Sequence, residues 1–444
     1  MSWRNWSGEQ RCRPWEIAYP RTREGLVRTI VDAHVAGRTI KVAGSGHSFS
    51  EAALTDGTML RIELLDRILD VDRAAGLVKV EGGIQLRELG RRLERLGLAL
   101  ENLGDIDRQT LAGSISTGTH GTGAGFRNLS SQVESIEIVG ADGTMRELSE
   151  ATDSDAFRAA RVGIGALGAI YSVILRTVPA FRIDRLDRTR PLGETLTGLD
   201  ELVDGTDHFE FYAFPHTELA LCRESTRTDA PPDPPSRAAV YAQEVVLENW
   251  VASAFIGMSR YAPAAIPTLS RMAARGAGTS RKLDASHRVF ASERRVKFTE
   301  MEVSVPRSDA RPAIEQVFAI ASRPELAVSM PIEARFVAAD DAMLSPSFDR
   351  DSCYIAVHAD PKSEWRRYFD SVAEAMKRFG GRPHWGKRNR LRAAELAELY
   401  PRFDDFRAVR ERLDPEGAFA NVYTDRVLGP MAVPAKPGKG SRSS

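Results

Sequence analysis

The chain is short of cysteine, of net charge and of long apolar runs. Its 444 residues include three cysteines, Cys12, Cys222 and Cys353, whose spacing matches neither a disulfide scaffold nor a zinc site, so we expect a reducing compartment. Basic and acidic residues balance at 61 each without a long basic stripe, which predicts no nucleic-acid partner. No stretch approaches the ~18 consecutive apolar residues of a membrane span, and the N-terminus lacks the apolar core of a signal peptide. These absences predict a soluble, cytoplasmic protein without an integral membrane segment.

Glycine and serine, by contrast, are concentrated in three short runs. Residues 42–50 follow a strand-like stretch and place His47 among small residues; residues 111–125 and 163–170 are the second and third runs. Residues this small let the backbone approach a bulky ligand, and the amides and hydroxyls of the second run suit a diphosphate group. The second run lacks the Gly-Lys-Ser/Thr of a Walker loop and the acidic partner of a nicotinamide-binding fingerprint. Three such runs predict a large ligand lying along the backbone, and a flavin is the natural candidate.

Length and periodicity predict two domains of mixed helices and strands. A chain of 444 residues exceeds what one hydrophobic core usually serves. In the first part, apolar spacing predicts helices over residues 23–34 and 86–96, and alternation predicts strands over residues 77–81 and 133–139. After Pro179 the patterns predict a sheet faced by helices, with strands at 209–214, 298–305, 332–337 and 354–357, and helices at 238–258 and 310–320.

Two other segments bear on where the protein works. The apolar stretch Trp250–Met258 is read as a buried helix, with a peripheral membrane contact as the alternative. The tail, residues 431–444, lacks apolar anchors and is predicted to be disordered. The expected fold class is therefore α+β, with a terminal segment outside it.

Charged residues interrupt one predicted strand at alternate positions. Glu333 and Arg335 lie two apart, so both side chains project from one face, whereas the residues between them are apolar. That face either lines a cleft or carries an exposed ion pair, which would contribute little to stability. Further along, Lys387 ends the run Pro383–Lys387. Lys387 either serves a functional site or belongs to a solvated basic patch with the arginines that follow it.

The His47 run, the segment Thr117–Gly123 and the distal run Pro383–Lys387 together resemble the aldonolactone oxidoreductases of the vanillyl-alcohol-oxidase flavoprotein superfamily. The resemblance extends from about Trp6 to about Pro430, and the family includes L-gulono-1,4-lactone dehydrogenases, D-arabinono-1,4-lactone oxidases and alditol oxidases. It implies a two-domain fold of the vanillyl-alcohol-oxidase type. Residues 1–178 would bind FAD, and residues 179–430 would form a substrate or cap domain whose C-terminal segment returns to the flavin.

The resemblance also implies roles for individual residues. His47 would be bonded through a ring nitrogen to the flavin 8α carbon, which makes a flavin a stronger oxidant. The other expected cofactor-binding residues are Ala43, Gly44, Ser45, Gly46, Ser48, Thr110, Gly113, Ser114, Thr117, Gly118, His120, Gly121, Thr122, Gly123, Ile170 and His358. Of these, His120 reads as a residue that orders its loop, and His358 ends a strand near the flavin or is simply hydrogen-bonded.

Four residues are expected to carry the chemistry. Arg335 would hold lactone oxygens or the electron-rich edge of the flavin, and Glu333 would orient hydroxyl groups. Lys387 would place a positive charge near the substrate hydroxyl or the flavin pyrimidine edge. His384 would contact the isoalloxazine ring or act as a base, and the sequence does not decide between the two.

The activity implied is oxidation of a secondary alcohol on an aldono-1,4-lactone, such as L-gulono-1,4-lactone or D-arabinono-1,4-lactone. Hydride would pass to flavin N5 and a base would take the hydroxyl proton, giving a 2-keto lactone that enolises to an ascorbate-type product. Oxidation of an open-chain polyol, as in alditol oxidase, is one alternative. A non-catalytic flavin-binding electron-transfer module is another. The electron acceptor would be oxygen, cytochrome c or a quinone, and the sequence does not distinguish them.

Overall fold

The computed structural model describes residues 2–231, 233, 261–276, 278–292 and 296–431. The helix predicted over residues 238–258, the apolar stretch Trp250–Met258 within it, and the tail after residue 431 lie outside the described residues. The strands, in chain order, are β1 (Trp3–Arg4), β2 (Arg11–Cys12), β3 (Glu16–Ala18), β4 (Ile40–Ala43), β5 (Thr58–Arg61), β6 (Ile68–Asp72), β7 (Leu77–Glu81), β8 (Leu98–Ala99), β9 (Val133–Val139), β10 (Met145–Ser149), β11 (Ala169–Arg176), β12 (Val178–Pro179), β13 (Arg182–Pro191), β14 (His208–Ala213), β15 (Leu219–Thr228), β16 (Thr279–Ala285), β17 (Thr299–Pro306), β18 (Ile332–Val337), β19 (Ser352–Ala359) and β20 (Arg382–Pro383).

Helices alternate with these strands along the described part of the chain. They are α1 (Arg23–Val35), α2 (Leu86–Arg95), α3 (Leu111–Ser116), α4 (Ser154–Ala160), α5 (Leu192–Thr197), α6 (Leu199–Asp204), α7 (Ile266–Gly276), α8 (Ser286–Phe290), α9 (Ala310–Ala321), α10 (Trp365–Lys377), α11 (Ala393–Leu399), α12 (Phe403–Leu413) and α13 (Val422–Leu428). None of them is long and apolar enough to cross a membrane.

Two antiparallel sheets dominate the structure. The smaller has the strand order β10-β9-β11-β7-β6, and the larger has the order β16-β13-β15-β14-β18-β19-β17-β20. A three-stranded parallel sheet, β3-β5-β4, carries the first glycine-rich run at the end of β4. The predicted strands of both parts are confirmed, and in each of them apolar residues at alternate positions share a buried face.

Helix α1 shows how local sequence sets these elements. The Thr22 side chain accepts a hydrogen bond from the Gly25 amide and caps the first turn. Leu26, Ile30 and Ala33 then recur at helical spacing and are fully buried. The helices predicted over residues 23–34, 86–96 and 310–320 are confirmed as α1, α2 and α9.

Two large hydrophobic cores lie in the described part of the chain. The first joins residues of α1, the five-stranded sheet and α4 to the C-terminal helices α11 to α13, with Trp385 and Phe419 buried among them. The second packs α5, α6, α9 and α10 against one face of the eight-stranded sheet. The predicted sheet faced by helices is thereby confirmed. The opposite face of the eight-stranded sheet carries charged residues.

Candidate active site

The three glycine-rich runs meet around one cavity, which we call the first cavity. About 860 Å³ of space lies between its walls, including the part open to solvent. Its lining takes residues from all three runs, among them Gly44, Ser45, Gly46, His47, Ser48, Thr110, Gly113, Thr117, Gly165, Gly168 and Ile170. Segments far apart in sequence therefore form one cradle, as the three runs predict.

Small residues and bare hydroxyls fit this cradle to a polar ligand. A Cβ at Gly44 would overlap the side chain of Thr110, and Gly46 has a φ of +73° that glycine adopts without strain. Within the described residues, the hydroxyl oxygens of Ser45 and Thr110 are buried and have no hydrogen-bond partner. Buried hydroxyls are rarely left unpaired, so these fit a ligand with many acceptor oxygens, such as the diphosphate of FAD.

His47 lies at the wall of the first cavity. Its ring stacks on Trp6, with ring centroids 5.5 Å apart and an interplanar angle of 26°. Burial, together with the positive charges of Arg108 and Lys387, lowers the pKa of His47 to about 4. The imidazole is therefore neutral at pH 7 and keeps a free ring nitrogen lone pair, as a bond to a flavin carbon requires.

Three other expected cofactor-binding residues do not line the first cavity. Ala43 is buried in β4 beside Trp3, and the Ser114 hydroxyl donates to the Leu111 carbonyl. Gly118 makes a turn with a φ of +68°. These residues shape the loops without lining the first cavity.

The end of the second run joins the eight-stranded sheet instead. The Gly123 amide donates to the Phe336 carbonyl at 2.7 Å, and the Phe336 amide donates to the Thr122 hydroxyl at 3.2 Å. His120 and Gly121 precede this junction, and the His120 ring lies against Tyr354 with centroids 3.8 Å apart. One glycine-rich run thus contacts both the cradle and the sheet that carries Glu333 and Arg335.

Opposite its helices, the eight-stranded sheet presents what we call the charged face. Alternation along adjacent strands brings these side chains to one side, and all are buried or nearly so: Arg185, Asp187, Glu210, Arg223, Glu300, Glu302, Glu333, Arg335 and His358. The register between β14 and β18 places Glu210 opposite Arg335 and Tyr212 opposite Glu333. Three of these nine residues, Glu333, Arg335 and His358, were predicted as site residues from the sequence.

Arg335 is the centre of one cluster on this face. Its guanidinium pairs with Glu333, with Asp105 at 3.0 Å and with Glu210 at 3.2 Å. Burial acts to lower the pKa of Arg335, but the carboxylates outweigh it and hold the pKa well above its ordinary value. Arg335 and Glu333 are only 7% and 3% exposed, so the alternative of an exposed ion pair is wrong.

Glu333 differs from an ordinary surface glutamate. Burial raises its pKa, although Arg335 acts in the opposite direction. The Tyr212 hydroxyl donates to Glu333 Oε1 at 3.0 Å. A carboxylate held in this way is fixed in orientation and suits binding of a substrate hydroxyl.

Lys387 belongs to a second cluster. Its Nζ lies 2.5 Å from Glu300 Oε2 and 3.9 Å from Glu302 Oε2, and its side chain is 18% exposed. Burial acts to lower the pKa of Lys387, but Glu300 and Glu302 outweigh it and raise the pKa. Lys387 is therefore a fixed cation rather than a base, and the solvated-patch alternative is wrong for this residue.

His358 connects the two clusters. Its Nδ1 lies 3.2 Å from the Pro331 carbonyl, an arrangement that puts the ring proton on Nδ1. Its Nε2 lies 3.6 Å from Glu300 Oε1 and 3.8 Å from Glu333 Oε2. The Phe298 ring packs edge-on against it at 5.3 Å. A histidine acceptor thus stands between two carboxylates.

His384 lies near His120 and Glu302, with its ring centroid 5.6 Å from that of His120. Its Nδ1 accepts a hydrogen bond from the Gly386 amide at 3.0 Å, so the proton of the neutral ring is on Nε2. Burial lowers its pKa to about 3. A ring whose Nδ1 already accepts and whose Nε2 carries the proton is placed to donate, which does not favour the role of base.

Glu302 is surrounded by His120, His384 and Lys387. The ligand atoms of Glu302 and the two histidines all lie within 4.8 Å of one another, as in a two-histidine, one-carboxylate metal site. A metal on His384 Nε2 would require loss of the proton that Nε2 carries in the neutral ring. Burial acts to raise the pKa of Glu302, but His120 and Lys387 hold it below the usual range. Glu302 thus places a second carboxylate near Lys387, at 3.9 Å from Nζ.

Several functional residues were missed in the sequence. Glu300 and Glu302 alternate with Met301 and Val303 on β17, which is the same period-two signal that identified Glu333 and Arg335. Glu210 alternates with Phe209 and Phe211 in the same way. Asp105 lies in a loop and has no such signal.

Comparisons with known proteins show the family of this chain. Residues 173–427 match a family model described as D-arabinono-1,4-lactone oxidase, and residues 14–149 match one described as FAD binding domain. The chain is 46% identical to an L-gulono-1,4-lactone dehydrogenase of Mycobacterium tuberculosis, over 96% of this chain and 99% of that one. It is 33% identical to an L-gulonolactone oxidase of Mus musculus, over 96% and 98%. It is also 31% identical to an alditol oxidase of a Streptomyces species, over 96% and 98%.

The fold has a solved counterpart. A cholesterol oxidase of Brevibacterium sterolicum superposes with a TM-score of 0.79 at 15% identity, over 97% of this chain and 96% of that one. This likeness concerns the fold alone, and together with the match to the FAD binding domain model it confirms the expected fold class. The expectation of an FAD-dependent oxidoreductase is likewise confirmed. The chain therefore belongs to the D-arabinono-1,4-lactone oxidase family.

Proposed function

We propose that this enzyme oxidises a secondary alcohol of an aldono-1,4-lactone, with L-gulono-1,4-lactone and D-arabinono-1,4-lactone as the first candidates. One observation carries the proposal: Glu333, Arg335 and His358 lie on one buried face of a sheet, and Lys387 pairs with Glu300 of the same face. The second glycine-rich run connects that face to the first cavity. The names of the similar proteins support a lactone as the substrate class.

FAD, when bound, supplies the acceptor for the hydride that leaves the carbinol carbon. We propose that the first cavity holds it, with the hydroxyls of Ser45 and Thr110 on the diphosphate and His47 bonded to the flavin 8α carbon. In this scheme residues 1–178 form the FAD-binding domain and residues 179–430 the substrate domain, with the chemistry at their junction.

The charged face would bind and polarise the lactone. The Arg335 guanidinium would donate to lactone oxygens, and Glu333 would accept from a ring hydroxyl. Lys387, held as a cation by Glu300, would stabilise negative charge that develops on the reacting oxygen. Stabilisation of this kind typically accounts for about 100-fold to 1000-fold in rate.

His358 is our candidate for the base that takes the hydroxyl proton. Its Nε2 carries no proton in the neutral ring, and a proton taken up there would lie between the carboxylates of Glu300 and Glu333. Lys387 is already protonated and His384 is placed to donate, so neither is suited to this role.

Oxidation of an open-chain polyol is the second candidate. The similarity to an alditol oxidase favours it, and so does a face rich in groups that bind hydroxyls. Anaerobic mixing of the holoenzyme with L-gulono-1,4-lactone, D-arabinono-1,4-lactone, xylitol or sorbitol separates the two. We expect both lactones to bleach the flavin at least tenfold faster than the polyols at equal concentration. Faster bleaching by the polyols would transfer the proposal to them, and no bleaching by any of the four would overturn both.

The electron acceptor is tested with the reduced enzyme. Mixing it separately with oxygen, cytochrome c and a quinone dye would show which one reoxidises the flavin fastest. We propose a cytoplasmic enzyme, and a peripheral contact with the membrane would be indicated by preference for a membrane quinone.

Covalent attachment through His47 is tested on the denatured protein. We expect a fluorescent band under ultraviolet light for the wild type and for His34→Ala, a control outside the first cavity. His47→Ala should release all its flavin on denaturation and be harder to reduce. A non-fluorescent wild-type band, with all flavin in the supernatant, would overturn the covalent bond but not FAD binding.

A further inference from the structure

A second cavity opens on the charged face, on the side of Arg335 away from Lys387. About 370 Å³ of space lies between its walls, including the part open to solvent. Its walls include Thr122 from the second glycine-rich run, and His208, Arg223 and Ser225 from the sheet. None of the roles proposed for Glu333, Arg335, His358 and Lys387 places a substrate group in this cavity.

His208 has an unused acceptor at this cavity. Its Nδ1 lies 2.8 Å from the Thr122 carbonyl, so the ring proton is on Nδ1. Its side chain is stacked on Phe126, with centroids 4.5 Å apart and planes 12° apart, and the residue is 2% exposed. Nε2 is buried and has no hydrogen-bond partner within the described residues. Burial lowers the pKa of His208, so Nε2 keeps its lone pair at neutral pH.

Donors and a hydroxyl face the same space. Arg223 lines it while pairing with Glu210 at 2.7 Å and Asp187 at 3.1 Å, and Arg335 closes one end. Ser225 lies directly opposite His208 in the sheet. A neutral acceptor beside charge-balanced arginines and a hydroxyl suits a ligand that both donates and accepts, which is the chemistry of neighbouring alcohol groups. An apolar ligand would leave these buried groups unpaired.

Strand order relates this cavity to the reacting groups. Arg335 is on β18, and the cavity extends from it across β14 and β15, whereas Glu300 and its partner Lys387 lie beyond β19 in the other direction. A lactone ring bound between Arg335 and Lys387 would therefore direct a substituent on its far side into the second cavity.

We propose that the second cavity binds the exocyclic hydroxyl chain of the sugar lactone, with His208 Nε2 accepting a hydrogen bond from one of its hydroxyls. This inference rests on the proposed function and deepens it. It makes His208 and Ser225 determinants of chain length, so that a lactone with two exocyclic hydroxyls is preferred to one with a single exocyclic hydroxyl.

The test compares two lactones that differ only in this chain. L-galactono-1,4-lactone and D-arabinono-1,4-lactone share their ring configuration, and the first has one additional exocyclic CHOH group. The measurements are the dissociation constant, from the perturbed flavin spectrum under conditions where turnover is blocked, and kcat/KM for each lactone. We expect the wild-type holoenzyme to bind the six-carbon lactone more tightly, and equal binding of the two would overturn the proposal.

Two variants locate the effect. His208→Phe keeps the stacking on Phe126 but removes the acceptor, and Ser225→Val narrows the cavity with a side chain that strands favour. In each, the ratio of kcat/KM for the six-carbon lactone to that for the five-carbon lactone should fall about five- to tenfold, the size expected for one hydrogen bond to a neutral group. His216→Asn, a control on the β14–β15 turn outside the cavity, should leave the ratio unchanged.

The outcomes separate this inference from the proposed function. If neither lactone reduces the wild-type flavin, the proposed function fails. If both lactones reduce it but the ratio is unchanged in Ser225→Val and His208→Phe, only the second-cavity inference fails. If His208→Phe does not fold, the binding of the two lactones to the wild type and the kcat/KM ratio of Ser225→Val still test the second-cavity proposal.

Discussion

Replacing Arg335 with methionine would remove the cation that three carboxylates share, two of them buried, while keeping much of the side-chain volume. In the wild type its guanidinium contacts Asp105, Glu210 and Glu333. After the substitution Glu210 keeps Arg223 at 2.7 Å, but Glu333 keeps only a hydroxyl and a histidine. Leaving one buried charge without its partner costs about 3–5 kcal/mol, and because part of the cluster stays paired we expect about 3 kcal/mol.

The loss should depend on pH in a definite direction. Burial already raises the pKa of Glu333, and without Arg335 to oppose it the pKa rises further. A carboxyl whose pKa is higher in the folded state than in the unfolded state binds more protons when folded, so its contribution to stability falls as pH rises. The deficit of Arg335→Met against the wild type should therefore be small near pH 5 and grow toward pH 8.

Thermal melts of the two proteins at both pH values check this. A deficit of about 3 kcal/mol in a chain of this size corresponds to roughly 3–6 °C in Tm. The control is Arg281→Met on the edge strand β16, which breaks an exposed pair with Asp184 of β13 and should leave Tm almost unchanged at both pH values. Equal melting temperatures for Arg335→Met and wild type at pH 8, or a deficit that shrinks as pH rises, would refute the reasoning.

Three further predictions follow from other parts of the structure. Gly44→Ala should lower FAD occupancy because its Cβ would overlap a side chain of the cradle, whereas Gly125→Ala meets open space and should retain the flavin; absorbance per chain measures both. Glu300→Gln should slow flavin reduction about 100-fold by releasing its lysine partner, and Glu300→Asp should restore part of that rate in stopped-flow traces. Burial lowers the pKa of Lys41 to about 7, so the wild type binds fewer protons when folded and should gain stability over Lys41→Met as pH rises from about 7 to about 9; a Tm difference independent of pH would contradict this.

Much of the fold could be predicted because its signals are local. Strand β18 shows charged and apolar residues in strict alternation, and helix α1 shows apolar residues at helical spacing after a threonine cap. Three runs of small residues were enough to predict that distant segments meet at a shared cavity. Each of these depends on a few neighbouring residues.

The rest depends on contacts between distant segments. Six of the ten residues of strand β13 are charged and they occupy both of its faces, so its sequence shows no apolar face. Arg185 and Asp187 are nevertheless buried in the structure. Lys387 is predicted as a functional cation, but the residue that holds it, Glu300, is 87 positions away. Periodicity identifies which residues share a face, and it does not identify what covers that face.

The most direct test of the account is single-turnover reduction of the flavin by L-gulono-1,4-lactone under anaerobic conditions, in wild type, Arg335→Met and Lys387→Met loaded equally with FAD. We predict rapid bleaching of the wild-type flavin and reduction about 100- to 1000-fold slower in both variants, because each loses a charge placed beside the reacting group. Wild-type flavin that stays oxidised in the presence of the lactone, or variants that are reduced at the wild-type rate, would contradict the claim that this charged face is the active site of an aldonolactone-oxidising enzyme.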